Sequence, residues 1–146
     1  MTFSKTLKTA ALTLMIALPV AGAASANGSY VNVQQYGYGN GAAGAQTGFL
    51  NDMGIYQNGA YNTTIASQDG NFNTTVVGQT GYGNGASATT IGSGNIVGIA
   101  QQGNGNTADI GQLGNGNAIG VIQMGNGNNA SATQVGSGNV SVIVQH

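Results

Sequence analysis

The chain from residue 29 to residue 145 alternates apolar or small side chains with polar ones, and glycine-rich stretches interrupt the alternation at regular intervals. A period of two is typical of β-strands, whose successive side chains point to opposite faces. Each predicted strand runs from a Ser or Asn to the next Gln, and four-residue turns containing glycine join the strands. The predicted strands start at Ser29, Asn40, Asn51, Asn62, Asn73, Asn84, Asn95, Asn106, Asn117, Asn128 and Asn139.

A motif of Gln, Gly two residues later and Asn five residues later recurs every eleven residues. Gln35, Gly37 and Asn40 form the first unit, and Thr90 once takes the place of Gln. No insertion breaks this spacing as far as Gln145. Self-similarity at a fixed period indicates a repeat architecture in which each unit packs only against its neighbours.

Alternate strands differ in size at two places on the predicted inward face. One series has mostly bulky residues there: Val31, Val33, Met53, Ile55, Thr75, Val77, Val97, Ile99, Ile119, Val121, Ser141 and Ile143. The other series has mostly small residues: Ala42, Gly44, Thr64, Ala66, Ala86, Ala88, Ala108, Ile110, Ala130 and Ala132. A bulky face and a small face fill a narrow core without voids. We therefore predict an all-β, flat two-sheet β-solenoid with two strands in every 22 residues, about five and a half turns and roughly 25 Å of height.

The recurring Gln and Asn share the inward face with the apolar core places. A buried amide without a hydrogen-bond partner costs about 1–3 kcal/mol, but copies stacked along the solenoid can satisfy one another. We predict such amide ladders along the axis. Their members are Gln35, Asn40, Gln46, Asn51, Gln57, Asn62, Gln68, Asn73, Gln79, Asn84, Asn95, Gln101, Asn106, Gln112, Asn117, Gln123, Asn128, Gln134, Asn139 and Gln145.

The first 26 residues have the features of a signal peptide. Lys5 and Lys8 precede an apolar run over residues 10–20, and Ala24-Ser25-Ala26 is a small-x-small cleavage sequence. We predict cleavage between Ala26 and Asn27 and a repeat domain over residues 27–146. The apolar run is shorter than the roughly 18–20 residues of a membrane span, so secretion without a membrane span is expected.

Beyond that segment the chain has no Lys, Arg, Glu, Pro or Cys, and its charged side chains are Asp52, Asp69 and Asp109. A nucleic-acid partner is not expected, because a basic surface is needed to bind phosphates. Neither an enzymatic activity nor a metal or other cofactor is expected from a chain dominated by amides, hydroxyls and aliphatic groups. Asp52 and Asp109 are predicted on outward strand places and Asp69 in a turn, either as gatekeepers against aggregation or as plain solvated surface.

The spacing Ser29-x5-Gln35-x-Gly37-x-x-Asn40-x5-Gln46 resembles the curlin repeat of curli, the extracellular amyloid fibres of bacterial biofilms. The resemblance covers residues 29–145. It implies an extracellular, cell-surface fibre made of copies of the chain itself, exported through an outer-membrane channel and started by a nucleator subunit. Nucleators of the family have basic side chains in their terminal repeats. This chain has none there, so it is more similar to the major, fibre-building subunit.

The two terminal strands are predicted to form the junctions between copies. Both are uncharged and rich in β-forming residues, the signature of an amyloid-forming segment, and neither is protected by Lys or Pro. The residues expected to carry the junction are Val31 and Val33 in the first strand and Val142 and Ile143 in the last. Both strands belong to the bulky series, so head-to-tail stacking leaves one strand place empty on the small-face sheet.

Two other functions fit a solenoid. A monomeric solenoid can bind ice or carbohydrate through an outward ladder of one residue type, commonly Thr. Here the outward columns are mixed: Gly41, Thr63, Gly85, Thr107 and Asn129, and Ala45, Ser67, Thr89, Gly111 and Thr133. The other alternative is a nucleator of the same fibre. Aromatic residues, which are confined to the first half of the repeats, are expected on turns and outer faces, where they serve adhesion or reflect β-propensity alone.

Overall fold

The computed structural model describes residues 20–21 and 28–146. The predicted cleavage position between Ala26 and Asn27 lies outside the described residues. The described chain is a β-solenoid of two parallel sheets in which successive strands alternate between the sheets. The predicted all-β fold class is therefore confirmed.

The described residues form twelve strands in the two sheets. They are β1 (Val20–Ala21), β2 (Tyr30–Tyr38), β3 (Gly41–Phe49), β4 (Asp52–Ala60), β5 (Thr63–Asn71), β6 (Thr74–Tyr82), β7 (Gly85–Ser93), β8 (Ile96–Asn104), β9 (Thr107–Asn115), β10 (Ala118–Asn126), β11 (Asn129–Ser137) and β12 (Val140–Gln145).

The bulky-face sheet has the order β2-β4-β6-β8-β10-β12, and the small-face sheet has the order β1-β3-β5-β7-β9-β11. From β2 onward, each residue pairs with the residue 22 positions further along the chain, as Val33 does with Ile55. One bulky-face strand and the following small-face strand form one rung of the solenoid. The two-residue β1 pairs with β3 one residue out of this register, Val20 opposite Ala43.

The strands are longer than predicted and begin one residue later. We expected them to end at Gln, but β2 continues past Gln35 and Gly37 to Tyr38, and only Gly39 and Asn40 separate it from β3. The reason is that every rung bends at the same residues. Parallel copies that bend together stay in register, so their backbone hydrogen bonds continue into the corner.

The core lies between the sheets and contains the side chains assigned to the two faces. Met53, Ile55 and Ile110 are among the largest fully buried side chains. Bulky and small residues interlock: a Cβ on Gly44 would lie 2.7 Å from the Met53 sulfur. The prediction of a bulky face against a small face is confirmed by the buried cluster.

Glycine is required at the second place after each Gln. Gly81, for example, has φ of 123°, and a Cβ there would overlap the carbonyl oxygen of Gly103 in the next rung. Two residues further on, the corner has a left-handed residue, usually glycine. At three corners a large side chain takes this left-handed position: Leu50, Tyr61 and Phe72, with φ of 53°, 56° and 57°.

Candidate functional site: the amide columns and the end rungs

The Gln side chains of the bulky-face sheet form one continuous column along the axis. In each step the Nε2 of one Gln donates to the Oε1 of the Gln in the next rung, at 2.7–2.8 Å. The column comprises Gln35, Gln57, Gln79, Gln101, Gln123 and Gln145. The interior members are buried, so the hydrogen bonds replace the water that the amides lose on folding.

The second N–H of each Gln fixes the direction of this column. From Gln57 onward it donates across the core to a backbone carbonyl of the opposite sheet, as Gln57 does to Gly41 at 2.9 Å and Gln101 to Gly85 at 2.9 Å. Because Nε2 must face that carbonyl, every amide has the same orientation. The donor of each Gln therefore points toward the C-terminal rungs and its acceptor toward the N-terminal rungs.

The Gln column of the small-face sheet is interrupted at Thr90. Gln46 donates to Gln68 at 2.7 Å and Gln112 to Gln134 at 3.3 Å, but Thr90 stands between these pairs. The buried Gln112 Oε1 and Thr90 Oγ1 have no hydrogen-bond partner within the described residues. The side chain of Gln68 turns instead to the Thr75 hydroxyl of the other sheet, at 2.9 Å.

Sequence reasoning assigned Thr64 and Thr75 to the core but missed their hydrogen bonds. The Thr64 hydroxyl donates to Gln79 Oε1 at 2.9 Å and accepts from Gln57 at 3.2 Å. A threonine among core alanines and valines, seven residues after a buried Gln, was the available signal. These hydroxyls connect the two sheets through the amide columns.

The Asn side chains stack at the two corners. In each step the backbone N–H of one Asn donates to the Oδ1 of the Asn one rung earlier, at 3.0–3.1 Å. One corner has Asn40, Asn62, Asn84, Asn106 and Asn128, and the other has Asn51, Asn73, Asn95, Asn117 and Asn139. Ser29 begins the second column, since its hydroxyl accepts from the Asn51 N–H at 3.2 Å.

The Asn columns therefore run in the direction opposite to the Gln columns. At the C-terminal rung, Gln145 and Gln134 have an Nε2 hydrogen that no next Gln accepts, while the Oδ1 atoms of Asn128 and Asn139 accept from no next Asn. At the N-terminal rung the polarity is reversed, and the buried Gln46 Oε1 has no donor within the described residues. The bulky-face end strands are thus complementary in hydrogen bonding, because Gln145 can donate to Gln35 of a next copy. Gln134 and Gln46 lie on the small-face sheet, where the empty strand place separates them in a head-to-tail stack.

The two bulky-face end strands also expose apolar side chains. Val31 and Val33 occupy inward places of β2 but are 39% and 38% exposed, because no rung covers them. In β12, Ile143 packs partly against the core, whereas Val142 is on the outer face and 67% exposed. The predicted junction residues lie at opposite ends of the solenoid.

The outer faces contain the remaining candidate residues. Asp52 and Asp109 are exposed on strands, as predicted. Asp69 was expected in a turn, but it lies exposed within β5, because the strands extend past Gln. The outward columns on the small-face sheet stack Thr63 on Gly85 and Thr89 on Gly111, so threonine never repeats on adjacent rungs there.

No protein-family model and no curated protein sequence matches this chain. Among the residues that the structure describes, no helix is long and apolar enough to cross a membrane. The same residues include no group of three or more His, Cys, Asp or Glu side chains that could hold a metal ion.

Proposed function

We propose that this chain is a secreted structural protein whose copies stack end to end into extracellular, amyloid-type fibres for adhesion and biofilm matrix. In this proposal it is the fibre-building subunit. Export through an outer-membrane channel and initiation by a nucleator belong to the proposal through the curlin resemblance. The observation that carries it is the complementarity of the two bulky-face end strands, β2 and β12.

A head-to-tail stack that continues the 22-residue register aligns β12 of one copy with β2 of the next. Ile143 then pairs with Val33, and Ser141 pairs with Val31. Gln145 donates to Gln35, which extends the bulky-face amide column across the junction. A head-to-head stack would instead set Gln acceptors against Gln acceptors, so the hydrogen bonding favours one direction of growth.

Stacking also removes exposed apolar surface at both ends. Val31 and Val33 are more than one-third exposed in a single copy and become buried at a junction. Burial of an aliphatic side chain contributes about 1.5–3 kcal/mol when it is complete. Main-chain hydrogen bonds along the two edge strands add to this, as they do in other cases of strand addition.

The first test is assembly of residues 27–146 after dilution from denaturant. Fibrils that seed further growth and give a 4.7–4.8 Å reflection along the fibre axis are expected. A chain that stays folded and monomeric at high concentration would refute the proposal. The mixed outward columns of the small-face sheet would then be tested for ice or glycan binding.

A matched pair of variants tests the junction itself. Val33→Asp places a carboxylate that is partly solvated in a single copy but buried and unpaired in the stack, at a cost of several kcal/mol. We expect seeded elongation to fall by about 100-fold or more. Gln34→Asp adds the same charge to the outer face of β2 and should elongate at close to the wild-type rate. Equal rates for the two variants would contradict a β2–β12 junction.

A further inference from the structure

Three tyrosines stack at one corner of the solenoid in successive rungs. The ring centroids of Tyr38 and Tyr61 are 5.4 Å apart at an interplanar angle of 84°, and those of Tyr61 and Tyr82 are 5.4 Å apart at 67°. All three rings remain about half exposed to solvent. Tyr61 is thus in edge contact with a phenol ring on each side, and small oxidants can reach all three.

Tyr61 occupies its place at the expense of backbone strain. Its φ of 56° lies in the left-handed region, where the equivalent residues of the flanking rungs are Gly39 and Gly83. A residue with a Cβ costs roughly 1–2 kcal/mol there. The ring fits because the residue one rung earlier is Gly39. A Cβ at that position would lie 2.9 Å from two Tyr61 ring carbons. Leu50 and Phe72 take the same position at the opposite corner, so the strain alone does not distinguish Tyr61; the phenol rings on both sides of it do.

The repeats have few side chains able to form a covalent link. The sequence has no cysteine, and its two lysines, Lys5 and Lys8, precede the repeats. Disulfides and lysine isopeptides are therefore not available between rungs. Phenol rings in contact offer another chemistry, because one-electron oxidation converts them into radicals that couple.

We propose that Tyr61 is an oxidative cross-linking site that couples to Tyr38 or Tyr82 as dityrosine. Each phenol loses one electron and one proton, and the two radicals join by a carbon–carbon bond between ring carbons ortho to the hydroxyls. The ring hydrogens then move to the oxygens, which restores both phenols. The oxidant is a peroxide acting through a peroxidase: one hydrogen peroxide takes up two electrons and two protons and becomes two waters.

The link would join adjacent rungs of one molecule. Tyr61 has two ring carbons ortho to its hydroxyl, so the first coupling gives one dityrosine for each chain, and the second carbon remains free to couple to the other neighbour. Partial desolvation, followed by the phenols of Tyr38 and Tyr82, raises the pKa of Tyr61, consistent with phenols held close together. A second pair, Tyr36 and Tyr56, has centroids 5.8 Å apart on the outer face.

The three aspartates make the cross-link easy to locate. A protease that cleaves before Asp divides the chain into residues 1–51, 52–68, 69–108 and 109–146. Tyr38, Tyr61 and Tyr82 fall in three different fragments. A link between Tyr61 and Tyr82 joins fragment 52–68 to fragment 69–108, and the linked pair weighs two hydrogens less than the separate fragments.

The experiment treats the dilute, folded full-length chain with peroxidase and hydrogen peroxide, and reads dityrosine fluorescence and fragment masses. The joined fragments 52–68 and 69–108 are expected in the wild type and in Tyr30→Phe, a control whose ring belongs to no pair. They should be lost in Tyr61→Phe, which keeps the ring, and in urea. Tyr82→Phe should lose this link but keep the one between fragments 1–51 and 52–68, which is read in a Tyr36→Phe background because Tyr36 and Tyr56 would join the same two fragments.

The proposal is overturned if the folded wild type does not join fragments 52–68 and 69–108 and the folded Tyr36→Phe variant does not join fragments 1–51 and 52–68. It is also overturned if the yield in urea or in Tyr61→Phe equals that of the folded wild type. Far-UV circular dichroism of each variant separates loss of coupling from loss of fold, and Tyr82→Phe gives an independent reading if Tyr61→Phe does not fold. The link forms within one copy, so its outcome is distinct from whether fibres assemble.

Discussion

Replacing Thr90 with Gln should repair the interrupted amide column and stabilise the solenoid. The new Oε1 can accept from Gln68, and the new Nε2 can donate to Gln112. Room for the longer side chain is expected, because the residue seven positions on is Val97, whereas Gln46 and Gln112 fit opposite the larger Met53 and Ile119. The remaining N–H would face the Thr74 carbonyl, as in the other rungs.

The magnitude follows from the two buried atoms that now have no partner, Gln112 Oε1 and Thr90 Oγ1. Each costs about 1–3 kcal/mol, and Thr90→Gln removes both penalties. Ordering the longer side chain costs up to about 2 kcal/mol of conformational entropy. With each penalty near the middle of its range and the full entropy cost, the free energy of unfolding should rise by about 2 kcal/mol. With a guanidinium m-value of about 4 kcal/mol/M, the unfolding midpoint should rise by about 0.5 M.

The assay is guanidinium unfolding followed by far-UV circular dichroism, with Gln101→Thr as the matched control. That change introduces the same defect into the unbroken column: Gln79 loses its acceptor and Gln123 its donor, both now at 2.8 Å. Its midpoint should fall by a similar amount. If Thr90→Gln leaves the midpoint unchanged or lowers it while Gln101→Thr also lowers it, the Thr90 site does not lack partners, and the reasoning is refuted.

Two further predictions concern the corners. Gly81→Ala forces a Cβ onto the Gly103 carbonyl at a φ of 123°, and it should lower the free energy of unfolding by about 2–6 kcal/mol. Gly83→Ala has a φ of 65° and open space around the new Cβ, so it should lower the free energy of unfolding by only about 1–2 kcal/mol. Equal losses in thermal or denaturant unfolding would contradict the packing argument. Because the pKa of Tyr61 is raised, the stability that it contributes should be complete below the ordinary tyrosine pKa of about 10 and be lost as the pH rises through the folded-state value. Tyr61→Phe should flatten this alkaline decline in a pH series of unfolding midpoints, and an unaltered pH profile would show that the phenol is not the cause.

The fold could be predicted from the sequence because the two periods are independent signals. The period of two assigns each residue to a face, and the 22-residue period assigns it a neighbour in the next rung. Together they identify Met53, Ile55 and Ile110 as core residues. The ends of the strands were less predictable. Glycine reads as a turn signal, but pairing continues through Gly37, because each rung bends where its neighbour does.

The candidate site was predictable as a set of residues but not in its direction. The pattern shows that Gln57 and Gln79 stack, yet the orientation of the amides depends on backbone carbonyls across the core. The consequence of Thr90 was missed for the same reason. A single substitution in the motif reads as a tolerated variant until the partners of Gln68 and Gln112 are known.

The stacking register also limits how the length of this chain can change by duplication or deletion. Adding or removing 22 residues changes the number of rungs and leaves the contacts within every other rung intact. A change of 11 residues would move every downstream strand to the other sheet. An insertion between Ala86 and Val97, for example, would stack Val97 on Ala86, and a deletion of one small-face strand would set bulky side chains opposite one another at that point. A chain built this way should therefore vary in length by whole rungs, with half-rung changes confined to its ends.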